Sequence, residues 1–592
     1  MKQYYIFKDG IQVGPYSVDQ LKKMLSMQRI TEDTIVKPAA SVQEAQCMKL
    51  KEITDVLTLP QNTVAKLLSI SEQDMRIACP CCDQHYKVPA SMFSLKFLEC
   101  TNCGSTFTLP SSSPAEAATH SAEASCMDFN REIPDGDLLC PHCWKSFDMD
   151  YVLYISVHSD LYGDPVLGDY VPKRFVPTTF NRMGQPLDEK GLPATEMACP
   201  RCHLRIPSGL LDTPSLYFSI AGATSSGKSY FLTCLTHQLR KTLPEYFRTA
   251  FFDADPRLNE TLNFYEKQLF MSLNPHDITS LPATQIAGEG ISDRVRLDDI
   301  EVELPKPFVF EFRPEGGEDC LNMVFYDNSG EMFIPGRDEW SNQATFHLAH
   351  SNGIVFLFDP SNDAAMRLNI CDTRDPQVSQ KPRVVDQTIL LNEMISRIRR
   401  HANLVSSDTC QIPLVIAVGK YDIWRENFST DLTKVPYITK QKNGPDSEEY
   451  VLATDNILQV SYELREMMMQ TVPGLVGAAE SFFEEVYFIP FSNFGTFAEQ
   501  KSDGAIGITP SKINPVWVDV PLLMLLSRNQ QLAAKKAASS DSGFLGAVVR
   551  NKIEFTHPVN GKIIRLPLCY AGAEIDIDGR KYTLPVNESA GL

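Results

Sequence analysis

The segment Gly222-Ala223-Thr224-Ser225-Ser226-Gly227-Lys228-Ser229 constrains this chain more than any other stretch of it. It matches the pattern Gly-x-x-x-x-Gly-Lys-Ser in full. An apolar run at 216–221 precedes it, and Phe231, Leu232, Leu235 and Leu239 follow at helical spacing. That order is what the chemistry needs. Backbone N–H groups at the start of a helix converge on phosphate oxygens, and the glycines let the backbone come close. In such a loop Lys228 brings a point charge to the β- and γ-phosphates, and the Ser229 hydroxyl ligates Mg2+. Tyr230, next on the helix, is grouped with the nucleotide-contacting residues.

Downstream, short apolar runs at 323–326, 353–358, 414–418 and 486–489 alternate with helical stretches such as 229–243 and 385–400. Near-continuous apolarity is the mark of buried parallel strands, so 213–542 is expected to form an α/β nucleotide-binding core. Two of these runs end in polar residues with a use. Asp327-Asn328-Ser329-Gly330 follows the first. An Asp at that strand end holds Mg2+, and the Gly330 N–H senses the γ-phosphate. Gly419-Lys420-Tyr421-Asp422 follows the third run. This segment resembles the base-reading motif of GTPases, and the resemblance implies that the Asp422 carboxylate accepts from guanine N1–H and N2–H, a donor pair that adenine lacks, while the Lys420 stem packs along the base. Ser492 and Asn493, after the last run, form the remaining base-contacting loop.

Together these three motifs resemble the translation-factor-related P-loop GTPases. The stretch from Cys140 to Pro360 is similar to the bacterial double-GTPase families, on Gly163-Asp164-Pro165-Val166-Leu167-Gly168, Phe252-Asp253-Ala254-Asp255-Pro256, Tyr326-Asp327-Asn328-Ser329-Gly330-Glu331 and Phe356-Leu357-Phe358-Asp359-Pro360. The resemblance implies a regulatory GTPase that uses GTP with Mg2+, with any second GTPase supplied by a partner chain. Gly419 stands where that family carries Asn or Thr. The switch threonine that ligates Mg2+ is assigned to Thr284, with Thr279 as the competitor. Glu331 holds the position where a water-orienting Gln is usual, and Arg337 is near in sequence. The catalytic set is then Lys228, Asp327, Gly330 and Glu331, and slow intrinsic hydrolysis with an external activator follows. An ATPase would need an apolar run ending in Asp-Glu, where this chain has Asp327-Asn328. A nucleotide-dependent scaffold without turnover is the other alternative.

Eight of the 16 cysteines fall in four Cys-x-x-Cys pairs: Cys79/Cys82, Cys100/Cys103, Cys140/Cys143 and Cys199/Cys202. Each pair presents two thiolates from one tight turn, and zinc takes four in a tetrahedron. The first two pairs have zinc-ribbon spacing over 76–109. The last two are assigned to one shared site in a split ribbon over 126–212, with a redox dithiol as the alternative. Two structural zinc ions are expected, and a closed four-cysteine site leaves no open position for catalysis. A Ser/Ala/Pro-rich stretch, 110–125, reads as a flexible linker.

At the front, 1–56 reads as a small α+β unit, with strands at 4–7 and 34–37 and a helix at 17–25. Asp9-Gly10, Val13-Gly14-Pro15-Tyr16-Ser17 and Ile30-Thr31-Glu32-Asp33-Thr34-Ile35-Val36 resemble the bacterial GYF-type domain. That resemblance implies docking of protein partners, although Ala45-Gln46-Cys47-Met48 replaces the Trp usual near the end. The tail, 543–592, alternates apolar and polar residues around Asn560-Gly561 and Asp578-Gly579 and reads as a β-rich appendage. The fold class expected is multidomain. The net charge of -19 disfavours nucleic acid and anionic membranes as partners. No run approaches the roughly 20 apolar residues of a spanning helix, and the opening residues are too polar for a signal peptide. Metal-held thiolates then place the chain in a reducing cytoplasm.

Overall fold

The computed structural model gives strand backbones within residues 1–130 and full detail for 136–224, 226–282, 293–297, 300–316, 320–327, 333, 343–379, 386–442, 448–501, 504–534, 545–549, 552–559, 561, 563–577 and 579–585. The chain divides into two compact units, Met1–Phe129 and Asn130–Leu592. In the first, a four-stranded sheet runs in the order Ile11–Ser17, Gln3–Lys8, Ile35–Pro38, Met48–Lys49. The hairpin Asp74–Ala78/His85–Pro89 brackets the first Cys-x-x-Cys pair in sequence. The helix expected at 17–25, and the side chains of Cys79, Cys82, Cys100 and Cys103, lie outside the described residues.

The second unit is built on a seven-stranded sheet. Its strands are β1 (Ser215–Gly222), β2 (Thr249–Asp253), β3 (Phe308–Pro314), β4 (Leu321–Asp327), β5 (Gly353–Phe358), β6 (Leu414–Val418) and β7 (Val486–Pro490). They lie in the order β2-β3-β4-β1-β5-β6-β7. β1 pairs in parallel with β4 and β5, and β5, β6 and β7 continue in parallel. β3 runs antiparallel to both its neighbours, β2 and β4. All residues of β5, β6 and β7 are buried, which explains their unbroken apolar sequences. β2 and β3 had no such signal. β2 alternates buried and exposed residues, as a half-covered edge strand does.

The helices that cover the sheet follow from the same logic. α1 (Lys228–Phe247) and α2 (Glu260–Phe270) carry Phe231, Leu235, Leu239, Leu262 and Leu269 into the main core. α3 (Gln387–His401) starts where Asp386 accepts from the Thr388 and Ile389 N–H groups and ends in Arg399, Arg400 and His401. α4 (Thr454–Thr471) and α5 (Pro473–Phe482) follow, the latter with Pro473 in its first turn. The apolar 520–526 run is α6 (Val520–Arg528), buried from Val520 to Leu526. Among the described residues no helix is long and apolar enough to cross a membrane. The tail hairpin Lys552–Thr556/Ile563–Pro567 puts Ile553, Phe555 and Leu566 into this same core, so it is integrated rather than appended.

Between α2 and β3 the hairpin Ser292–Leu297/Ile300–Pro305 leaves the sheet. Its Val295, Leu297 and Leu304 pack in a separate core with Cys140, Cys143, Cys199 and Cys202. The long insertion in the α2–β3 connection thus helps to enclose the cysteine-rich subdomain.

Candidate functional site

Strand order fixes where the sheet offers a crevice. From β1 the chain continues to β2, β3 and β4 on one side of it, then crosses to β5, β6 and β7 on the other. The carboxyl end of β1 is therefore the topological switch point, where open α/β sheets present a crevice. The Gly222–Ser229 loop lies there.

Two glycines in the loop are dictated by geometry. Gly222 has φ +149°, and a Cβ on it would stand 2.6 Å from the Leu357 carbonyl oxygen. Gly227 has φ +87° at the N-cap of α1, in the left-handed region. Lys228 folds back on the loop, donating to the carbonyls of Gly222 at 3.0 Å and Ala223 at 2.8 Å. Burial pushes its ammonium pKa down, against the opposing charge of Asp327. The Ser226 hydroxyl is buried without a partner.

At the end of β4 the Ser229 hydroxyl faces Asp327 Oδ2 at 3.5 Å. Asp327 Oδ1 is buried with no hydrogen-bond partner. Burial raises the Asp327 pKa to about 6, although Lys228 and Ser229 pull it down. A hydroxyl and a carboxylate with one buried, unpartnered oxygen form a donor pair that fits Mg2+. Ser225, Thr284, Gly330, Glu331 and Arg337 lie outside the described residues. The Thr279 backbone makes a two-way bridge with Ile508, at 2.8 Å in each direction. Tyr230 is the third residue of α1. Its hydroxyl accepts from the Leu281 N–H at 2.8 Å and its ring meets Phe494 edge-on.

Asp422 and Ser492 come together beyond β6 and β7. The Ser492 hydroxyl donates to Asp422 Oδ1 and itself accepts from the Gly495 N–H at 2.7 Å. Burial lifts the Asp422 pKa to about 6, and Ser492 opposes that shift. Lys420, at φ +56°, sends its ammonium to Asp359 Oδ2 and the Ser361 hydroxyl, both at 2.8 Å. Asp359 thus anchors the Lys420 loop, a role its sequence context does not reveal. A Cβ on Gly419 would approach Cζ of Phe491 to 3.2 Å, a tight contact.

The four thiols of Cys140, Cys143, Cys199 and Cys202 all lie within 4.8 Å of one another. Cys140 Sγ is 3.7 Å from Cys202 Sγ, and Cys143 Sγ is 3.7 Å from Cys199 Sγ. Zinc–sulfur bonds of about 2.3 Å in a tetrahedron put sulfurs roughly 3.8 Å apart. The two knuckles are built alike. Trp144 N donates to the Cys140 carbonyl and His203 N to that of Cys199, with φ +57° and +58° at these residues. Burial pushes the Cys140 and Cys202 thiols up, while hydrogen bonding to Cys140 pulls Cys143 down. Four thiolates cannot share so small a volume without a cation. The donor set fits zinc, with all four positions filled.

What the sequence did not show is how this centre meets the sheet. The Tyr326 hydroxyl, one residue before Asp327, donates to the Pro141 carbonyl at 2.6 Å. Trp144 packs against Tyr217 of β1, Tyr326 of β4 and His350, with centroids 4.9, 5.7 and 5.2 Å away. Behind the second knuckle His203 Nδ1 and Asp164 Oδ2 are paired at 2.8 Å, both buried.

Residues 4–41 match the family model described as GYF domain 2. No curated protein sequence matches the chain. Among solved structures, nucleolar GTP-binding protein 1 of Plasmodium falciparum aligns at 13% identity and TM-score 0.20, over 55% of this chain and 92% of that one. Apo translation elongation factor SelB of Methanococcus maripaludis aligns at 9% identity and TM-score 0.17, over 63% of this chain and 48% of that factor. Scores this low do not establish a shared fold.

Proposed function

We propose that this chain binds GTP with Mg2+ at the carboxyl end of β1 and hydrolyses it as a regulatory switch. The observation that carries the reading is the loop itself, with Lys228 held on the Gly222 and Ala223 carbonyls beside the half-satisfied Asp327 carboxylate. Incoming phosphate oxygens give Lys228 a better partner than two neutral carbonyls. Ser229 and Asp327 would hold the Mg2+, which neutralises charge between the β- and γ-phosphates. Ser492 aims Asp422 for guanine N1–H and N2–H. Gly330 and Glu331 are assigned to the γ-phosphate and its attacking water, and Thr284 to the metal. A carboxylate at 331 repels the γ-phosphate, so turnover is slow and an activator or a second GTPase subunit completes it.

The cysteine-rich subdomain carries structural zinc in this reading, and a second zinc sits on Cys79, Cys82, Cys100 and Cys103. The GYF-type segment and the zinc ribbons dock protein partners, in a reducing, cytoplasmic setting. Competition of GTP, ATP and XTP against a labelled nucleotide tests the base assignment. Wild type is expected to prefer GTP, and Asp422→Asn to shift toward XTP, because an amide donates to the extra carbonyl at C2. Equal affinity for ATP and GTP in the wild type would refute the guanine assignment and favour an ATPase.

A further inference from the structure

We propose that Asp375 is a positioning residue of the base pocket: its carboxylate clamps the loop after β7 that aims Asp422, and its charge disfavours a base that turns an acceptor toward Asp422. The inference rests on the nucleotide reading above. The connection from β5 to α3 touches both loops that meet at Asp422. The Asp372 N–H donates to the Ile423 carbonyl at 2.7 Å, and the Asn427 side chain donates to the Ile370 carbonyl at 2.7 Å. These contacts hold the loop after β6. Arg374 sets its guanidinium over the Phe497 ring, 5.6 Å from the centroid, and Asp375 Oδ2 accepts from the Ala498 N–H at 2.9 Å. These hold the loop after β7.

Asp375 is fully buried. Its Oδ1 accepts from the Gln377 N–H at 2.7 Å, at the start of the turn Pro376–Ser379, while Oδ2 reaches across to Ala498. One N–H on each oxygen calls for a carboxylate, because an amide would turn a donor toward one of them. With Ala498 held, the loop closes on Ser492, whose hydroxyl accepts from the Gly495 N–H at 2.7 Å and gives its own proton to Asp422. Among the described residues no cation is paired with Asp375. A buried carboxylate without a cation is costly to keep.

That cost has a use in base selection. Of the charged groups that act on Asp422, Lys420 on its own loop is drawn to Asp359 and Ser361, and Asp375 meets it with a like charge. Two like charges behind one base edge favour a ligand that brings donors there and repel one that brings an acceptor. Guanine brings N1–H and N2–H, whereas adenine brings the acceptor N1. Asp375 therefore widens the discrimination that Asp422 makes.

The test titrates GDP and ADP into the full chain from about pH 5 to pH 8, for wild type, Asp375→Asn and Asp375→Glu. Asp375→Asn removes the charge and one of the two acceptors. Its GDP affinity at pH 7 should fall by up to about tenfold, the size of one good hydrogen bond, and its ratio of GDP to ADP affinity should narrow. The pH below which GDP affinity declines should move down by about half a unit or more, because a like charge has left Asp422. Asp375→Glu keeps the charge and displaces the carboxylate, so it should lose GDP affinity with the pH dependence unmoved. Weaker binding by Asp375→Asn with the wild-type pH dependence would overturn the role of charge. Wild-type affinities in both variants would overturn the clamp. Should Asp375→Asn fail to fold, hydrogen exchange in wild type decides: peptides covering Ala498 should exchange slowly before GDP is added, and fast exchange there would overturn the clamp. Equal binding of GDP and ADP by wild type would defeat the guanine assignment of Asp422 and this proposal with it. A wild type that prefers GDP beside unchanged variants would defeat this proposal alone.

Discussion

The four-thiol centre and the phosphate loop belong to one unit of the chain, and they treat their polar groups in opposite ways. Around the thiols the protein completes the arrangement itself: sulfurs at 3.7 Å, N–H groups of His142 and Arg201 directed at Cys140 and Cys199, and a buried His203–Asp164 pair behind. Around the loop it leaves groups unfinished. Lys228 rests on its own backbone carbonyls, while Ser226 Oγ, Asp327 Oδ1 and Asn493 Oδ1 are buried without partners. Buried polar groups left unpaired are destabilising and therefore rare. These three atoms lie at or past the carboxyl ends of β1, β4 and β7, whereas beside the thiols the unpartnered Trp144 Nε1 belongs to a ring packed among Tyr217, Tyr326 and His350.

The largest effect should come from breaking the finished site. Cys199→Ser removes a ligand from a closed tetrahedron, and metal-coupled folding energy is large. Metal analysis should show the loss of one zinc per chain, and the melting temperature should fall by roughly 5–10 °C. Nucleotide affinity should fall too, because Tyr326 donates to the knuckle at Pro141 and is followed directly by Asp327. Wild type without zinc on these four thiols would mean that they are a redox group instead. Full nucleotide affinity in zinc-free protein would mean that the two regions are merely neighbours.

Lys228→Ala should separate the regions from the other side. Its ammonium is the one cation among the described residues of the loop, and truncating one partner of a buried charge pair costs about 3–5 kcal/mol. Nucleotide affinity should drop by at least roughly 100-fold. Zinc content and far-ultraviolet circular dichroism should not change, because Lys228 donates only to its own loop. Retained affinity would show that Gly222–Ser229 is not a phosphate cradle.

The contrast also explains what could be read from the sequence. A phosphate loop is local: eight consecutive residues specify it, and the strand before and the helix after it are legible by their periodicity. β5, β6 and β7 were legible because both their faces are covered. β2 and β3 were not, since an edge strand and its antiparallel neighbour with mixed burial carry a weaker pattern. Two Cys-Pro-x-Cys knuckles could be matched by chemistry across more than fifty residues. The clamp of Trp144 on Tyr217, Tyr326 and His350 could not, because it joins four distant segments through ordinary aromatic residues. Phe491 is a similar case: only the packed structure shows its ring set close to where a side chain at 419 would begin.

The smallest effect is also the most specific to the unfinished site. Burial raises the Asp422 pKa from 3.8 to about 6, with the Ser492 hydroxyl and Lys420 opposing the shift and Asp375 adding to it. A carboxylate is needed to accept from both N1–H and N2–H, so guanine affinity should be flat above about pH 6. Below that it should fall by up to about tenfold per unit, because binding must then expel a proton. Stability moves the other way over the same range. A carboxyl whose folded pKa is raised contributes stability that is fully present below its unfolded value near 3.8 and is lost as pH rises through about 6. Between pH 4 and 6 the ligand-free chain should therefore gain stability from this group while it loses guanine affinity. Acid unfolding would reduce both together, so paired calorimetry and GDP titrations distinguish the two causes. Asp422→Asn supplies the control: its nucleotide affinity should be weaker at pH 7 and nearly level down to pH 5. A variant that keeps the wild-type slope would assign the titration to Asp327 or Asp519, which burial also raises to about 6.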